Sequence, residues 1–132
     1  MSPLRLHIDG HRFRDIHDRE VTIHGINVAG QAKFPTVPDQ PSHEREGFFD
    51  GDNVSFVGHP ISLEDAHVHF GRLSHWGYNT IRFVFTWEAI EHAGPGQYDE
   101  EWIDNVVRVL RLAKEEYNFY IFMDPHQDVV CG

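Results

Sequence analysis

The strongest constraint on this chain is the alternation of two hydrophobic periods along its second half. Residues 80–85, TIRFVF, and 118–124, NFYIFMD, are short runs of aromatic and aliphatic side chains, the composition of buried strands. Before and between them the period changes. Leu63, Ala66, Phe70 and Leu73 recur at steps of three and four, which lays one apolar stripe along a helix. Trp102, Val106, Val109 or Leu110, Ala113 and Tyr117 make a second stripe. The punctuation agrees. Ser62 with Asp65 three residues on forms a capping box, Gly77 suits a left-handed helix end, and Asp99 suits the next N-cap. Strands alternating with helices of this length need right-handed crossovers and a parallel sheet, so the fold class is α/β.

Upstream, LHIDGHRF places Asp9-Gly10 between two alternating segments, a hairpin signal. A further strand, EVTIHGIN, is expected over residues 20–27. Residues 35–60 show neither period and hold four of the seven prolines. So long an irregular connection is a lid, a binding loop or disorder. Phe48, Phe49 and Phe56 favour an ordered loop packed over a site. The resulting division is a hairpin over 1–20, a βαβαβ unit over 21–129 containing the 35–60 loop, and a tail at 130–132.

Composition narrows the partners. A net charge of −10 argues against nucleic acid, which needs clustered Lys and Arg, and against steady attachment to anionic membranes. No apolar run approaches about 20 residues, the length of a transmembrane helix. The single Cys131 rules out an internal disulfide, and MSPLRLHIDG lacks the apolar core of a signal peptide. A cytoplasmic protein is expected. The eleven histidines show no metal-ligand spacing, and His67 and His69, two apart on a helix, do not share a face.

Ligands of parallel α/β folds gather at the carboxyl ends of the strands. Polar residues follow each strand here: Asn27, Gln31 and Lys33 after the first; Thr86, Trp87 and Glu88 after the second; Asp124, His126, Gln127 and Asp128 after the third. Arg82 sits inside an apolar run, either as a snorkelling edge residue or as an interior cation holding a carboxylate ionised, with Glu88 a local candidate. Asp124, His126 and Asp128 alternate and so face one way in an extended segment. They could ligate a metal, line up hydrogen bonds to a polyhydroxylated substrate, or be satisfied loop polars. Lys33 reads as a surface lysine or a site residue, and Trp87 as core or a sugar-stacking platform.

Taken together, IDGHRFRD…REVTIHGINVAG, NTIRFVFTWEAIE with GPGQYDEEWID, and YIFMDPHQD resemble the opening of a glycoside hydrolase family 5 barrel. NVAGQAKFP, GFFDGDNVSFVGHP and DPHQDV resemble its endoglycoceramidase-like branch, and within it fungal β-glucosidases acting on steryl glucosides or glucosylceramide. The resemblance spans roughly residues 5–129. It implies the N-terminal portion of a (β/α)8 TIM barrel, with the hairpin and about three barrel strands. It also implies a retaining mechanism with two glutamates about 5–5.5 Å apart, after strands four and seven of the barrel. Arg82 would support the nucleophile's charge and His126 would line the subsite of the cleaved sugar. Lys33 and Asp128 would contact glucose hydroxyls, with Gln127 and Trp87 also on the substrate. No metal or other cofactor is implied.

VVCG stands where the family continues with a Trp-Ser-Arg type segment, so residues 130–132 read as an atypical tail and both glutamates are expected beyond them. The 132-residue chain alone is therefore expected to be inactive. With open sheet edges, it is expected to be marginally stable and prone to self-association. Two other functions compete: a metal-dependent hydrolase built on Asp124, His126 and Asp128, and a non-catalytic binding or regulatory fragment.

Overall fold

The computed structural model describes residues 5–39 and 53–128. Two three-stranded sheets are present. The first is antiparallel: β1 (His7–Asp9), β2 (Arg12–Arg14) and β3 (Glu20–Val21), in that order. Gly10 turns the hairpin at φ 61°, a left-handed conformation that glycine reaches without a Cβ clash. The second sheet is parallel, ordered β4 (Gly25–Val28), β5 (Thr80–Phe85), β6 (Tyr120–Pro125). Helix α1 (Leu63–His75) crosses from β4 to β5. The short α2 (Trp87–Glu91) and the longer α3 (Glu100–Glu115) lie between β5 and β6.

The expected single strand over residues 20–27 is divided between the sheets. Glu20 and Val21 pair with β2, whereas Gly25–Val28 pair with β5. Asn79 explains the break: its side chain accepts from His24 N at 2.9 Å and donates to Thr22 O at 2.8 Å. With those backbone groups occupied by a side chain, no strand ladder runs through them. The chain changes direction there.

Both helix stripes pack on one face of the parallel sheet. Phe56, Phe70, Ile81, Phe83, Val109 and Phe119 are fully buried, and Ala66, Trp102, Val106, Leu112 and Ala113 join them. Leu112 belongs to the α3 stripe that the spacing traced through Val109 and Ala113. Tyr117 lies past the helix end and packs tilted against Phe70. The caps form as read: Ser62 Oγ accepts from Asp65 N, Asp99 Oδ1 accepts from Trp102 N, and Gly77 adopts φ 86°. Helix α2 was not foreseen; Thr86 caps it by accepting from Ala89 N.

The ends of the long loop are pinned together. Val37 and Ser55 form an antiparallel bridge, Thr36 Oγ1 donates to Ser55 O, and Phe56 sits in the core. Phe48, Phe49, Cys131 and the 130–132 tail lie outside the described residues.

On the other face of the parallel sheet, among the described residues, Asn27 and Phe122 of the outer strands are exposed while Thr80 and Val84 of β5 are buried. In register, Asn27, Arg82 and Phe122 lie side by side on this face, and Phe122 is 59% exposed. Ile81 and Phe83, whose neighbours in sequence point to this face, are themselves turned into the helix layer.

Candidate active site

Asn27, Arg82 and Asp124 come from three adjacent strands and project from that face toward the carboxyl ends. Asp124 pairs in register with Val84, two residues beyond Arg82, so the long guanidinium reaches it diagonally along the sheet. Arg82 Nη2 lies 2.5 Å from Asp124 Oδ2, and Arg82 Nη1 donates to Asn27 Oδ1 at 3.4 Å. The carboxylate facing Arg82 is therefore Asp124, not Glu88. The sequence held the signal in the parity of two paired strands, but only the register makes it usable.

His126 continues the row. Its Nδ1 is 3.5 Å from Arg82 Nη2 and 3.4 Å from Asp124 Oδ2, and its Nε2 is 3.3 Å from Asp128 Oδ1. The backbone N–H of His126 donates to Phe85 O, which holds the segment leaving β6 against the end of β5. Asp124 Oδ2 is buried and, despite these neighbours, lies off the hydrogen-bonding direction of each. Its pairing with Arg82 is thus a close charge contact rather than an aligned hydrogen bond.

Lys33 reaches across from the loop after β4, and its Nζ donates to Asp128 Oδ2. That hydrogen bond is the largest cause holding the Asp128 carboxyl below the usual range; burial opposes it, and the charges of Lys33 and His126 add to it. Gln127 uses its carbonyl to accept from Trp87 N at 3.0 Å, tying the exit of β6 to the start of α2. Trp87 is 56% exposed, so it is not a core residue. Its indole Nε1–H donates to Glu91, which also accepts from Gly96 N, and Glu91 entered no sequence-based site assignment. Glu88 lies apart from the Arg82 pair. Burial pushes its carboxyl up, against an opposing pull from His92.

Nitrogen-bearing side chains and carboxylates alternate along the row: Arg82, Asp124, His126, Asp128, Lys33. The two aspartates flank opposite nitrogens of His126, and each already faces a cation. This does not converge three ligands on one ion, and among the described residues no group of three metal-ligating side chains does. What the row offers is a fixed set of donors and acceptors suited to hydroxyl groups. Two clefts, of about 510 and 380 Å³, run beside the loop after β4 and along α1; neither borders Arg82, His126 or Asp128. The row itself lies on the face of the three-stranded arc turned away from the helix layer.

Known proteins share this arrangement of chain. A family model described as cellulase (glycosyl hydrolase family 5) matches residues 49–131. A glucosylceramidase of Aspergillus fumigatus is 66% identical over 129 residues, covering 98% of this chain and 17% of that protein. An ergosteryl-beta-glucosidase of Saccharomyces cerevisiae is 46% identical over 134 residues, covering 96% of this chain and 17% of the other. The crystal structure of Cryptococcus neoformans sterylglucosidase 1 with tris superposes with a TM-score of 0.86 at 44% identity, over 99% of this chain and 18% of that one. The chain thus spans about one sixth of the length of the relatives it matches. With parallel βαβαβ order, polar groups at the strand ends and a family match over more than half its residues, the chain belongs to glycosyl hydrolase family 5, as an N-terminal portion of its barrel.

Proposed function

We propose that this chain supplies the first arc of a retaining β-glucosidase that hydrolyses glucosylated lipids, either steryl glucosides or glucosylceramide. The observation that carries the reading is the row from Arg82 to Lys33 at the carboxyl ends of three parallel strands. Relatives named for glucosylceramide and ergosteryl glucoside support the substrate class. In this reading Lys33 and Asp128 bind glucose hydroxyls, Gln127 and Trp87 border the substrate, and His126 lines the subsite of the cleaved sugar. Arg82 supports the charge of the nucleophile. No cofactor takes part.

The acid/base and nucleophile glutamates lie outside these 132 residues, so the chain alone does not turn over glucosides: two spaced carboxyls in a closed site are needed for ordinary rates. The single cysteine suits a cytoplasmic protein. Among the described residues β4 and β6 have no strand on their outer edges, and these edges, with Phe122 and Met123 exposed on β6, suit self-association.

An aryl β-glucoside assay tests the reading in two arms. The purified 132-residue chain is expected to be silent, while a chain extended with the remaining barrel is expected to hydrolyse and to lose activity with Asp128→Ala. Turnover by the short chain, or an extended chain indifferent to Asp128→Ala, refutes it.

A further inference from the structure

We propose that Glu91 is a positioning residue that fixes the indole of Trp87 as a stacking platform beside the polar row. The inference rests on the glucoside-binding reading and assigns the platform its support. Three contacts carry it. Trp87 N donates to Gln127 Oε1 at 3.0 Å, which seats the backbone against the exit of β6. The indole Nε1–H donates to one Glu91 oxygen, and the other oxygen accepts from Gly96 N. A tryptophan side chain has two rotatable bonds, so anchoring its ring nitrogen as well as its backbone sets the plane of the ring.

The loop that supplies Gly96 is itself held at both ends. Asp99 N donates to Ile90 O at 2.7 Å, and His92 Nε2 lies 2.9 Å from Asp99 Oδ2. Glu91 therefore joins an exposed indole to a closed loop. With 56% of its surface exposed and its backbone bonded to Gln127, one residue from both His126 and Asp128 in the chain, Trp87 offers an accessible flat apolar face at the exit of β6. Such a face suits the C–H side of a pyranose ring or an apolar aglycone. The same contacts hold the Glu91 carboxyl below its usual range, led by the Gly96 N–H and then the indole, with burial opposing.

The test uses the full 132-residue chain carrying Trp76→Phe. Trp102 is buried in the core, so solvent-accessible emission then reports Trp87. Octyl β-glucoside, kept below its micelle concentration, is the probe. It is expected to perturb Trp87 emission. Glu91→Leu, which keeps bulk but removes both acceptors, should make Trp87 easier to quench with acrylamide and weaken probe binding about tenfold, the size of one lost charge-assisted hydrogen bond. Glu91→Gln should recover part of that loss.

Hydrogen exchange of the indole N–H supplies a second measurement that needs no Glu91 variant: it should be slowed despite the exposure of the ring. Free exchange of that proton, a probe without effect on Trp87, or a Leu variant that binds as the parent does, each overturns the proposal. Absence of glucoside turnover in an extended chain bears on the hydrolase reading instead, and this titration does not measure it.

Discussion

Asp124→Asn keeps the volume of the side chain and removes the negative charge that contacts Arg82 among the described residues. The size of its effect follows from exposure. Removing one partner from a deeply buried ion pair costs about 3–5 kcal/mol, because the other charge is stranded. An exposed pair is worth about 0–1 kcal/mol. Here the Asp124 side chain is 19% exposed and that of Arg82 39%. Water can recover much of the solvation of Arg82, so the loss should fall between the two regimes, at about 1–2 kcal/mol.

Lys33 and Asp128 are 44% and 56% exposed. Breaking that contact should therefore cost less and fade further with added salt. Urea unfolding at pH 7, followed by circular dichroism at low and high salt, measures both. Combining Asp124→Asn with Arg82→Met closes a double-mutant cycle. The expected outcome is non-additivity of about 1 kcal/mol at an unchanged urea m-value. If the two substitutions add within about 0.3 kcal/mol, the Arg82–Asp124 contact is not a coupled pair and the electrostatic account of the row fails.

Two other outcomes are expected. Asp15 accepts from His17 N, Arg19 N and Arg19 Nε, and its carboxyl is lowered to about 2, first by the Arg19 side chain and then by the Arg19 backbone N–H. A depressed carboxylate stabilises the fold above its unfolded pKa and loses that contribution as the pH falls through its folded pKa. Acid titration of stability should thus show a decline between roughly pH 4 and 2 that Asp15→Asn abolishes; an unchanged profile would show that the turn over residues 15–19 contributes nothing. Phe56 comes from the long loop yet is fully buried, so Phe56→Ala should cost about 3–5 kcal/mol in urea unfolding, and a loss below about 1 kcal/mol would place it outside the core.

Much of the scaffold was legible because helix signals are local. Leu63, Ala66 and Phe70 lie within two turns of one another, and the caps at Ser62 and Asp99 act on amides three residues away. Helix α2 escaped notice because its five residues carry too short a stripe for the period to register. The strand break at Thr22–His24 escaped for a different reason: the group responsible, Asn79, stands 55 residues from His24. Among the site residues, their position after the strands followed from the α/β order, whereas their pairing did not. Arg82 could be read as a buried cation in want of a carboxylate, but nearby Glu88 was the natural candidate along the chain.

Periodicity, punctuation and residue type are properties of neighbours, so the order of amino acids was enough to establish the α/β class, the helix faces and the set of polar groups at one end of the sheet. Which of those groups meet was decided only when β4, β5 and β6 came into register. Asp124 is 42 residues from Arg82, and Asp128 is 95 from Lys33. Charge contacts act through space over a few ångströms, and nothing in the linear order tells a side chain which distant strand will lie beside it.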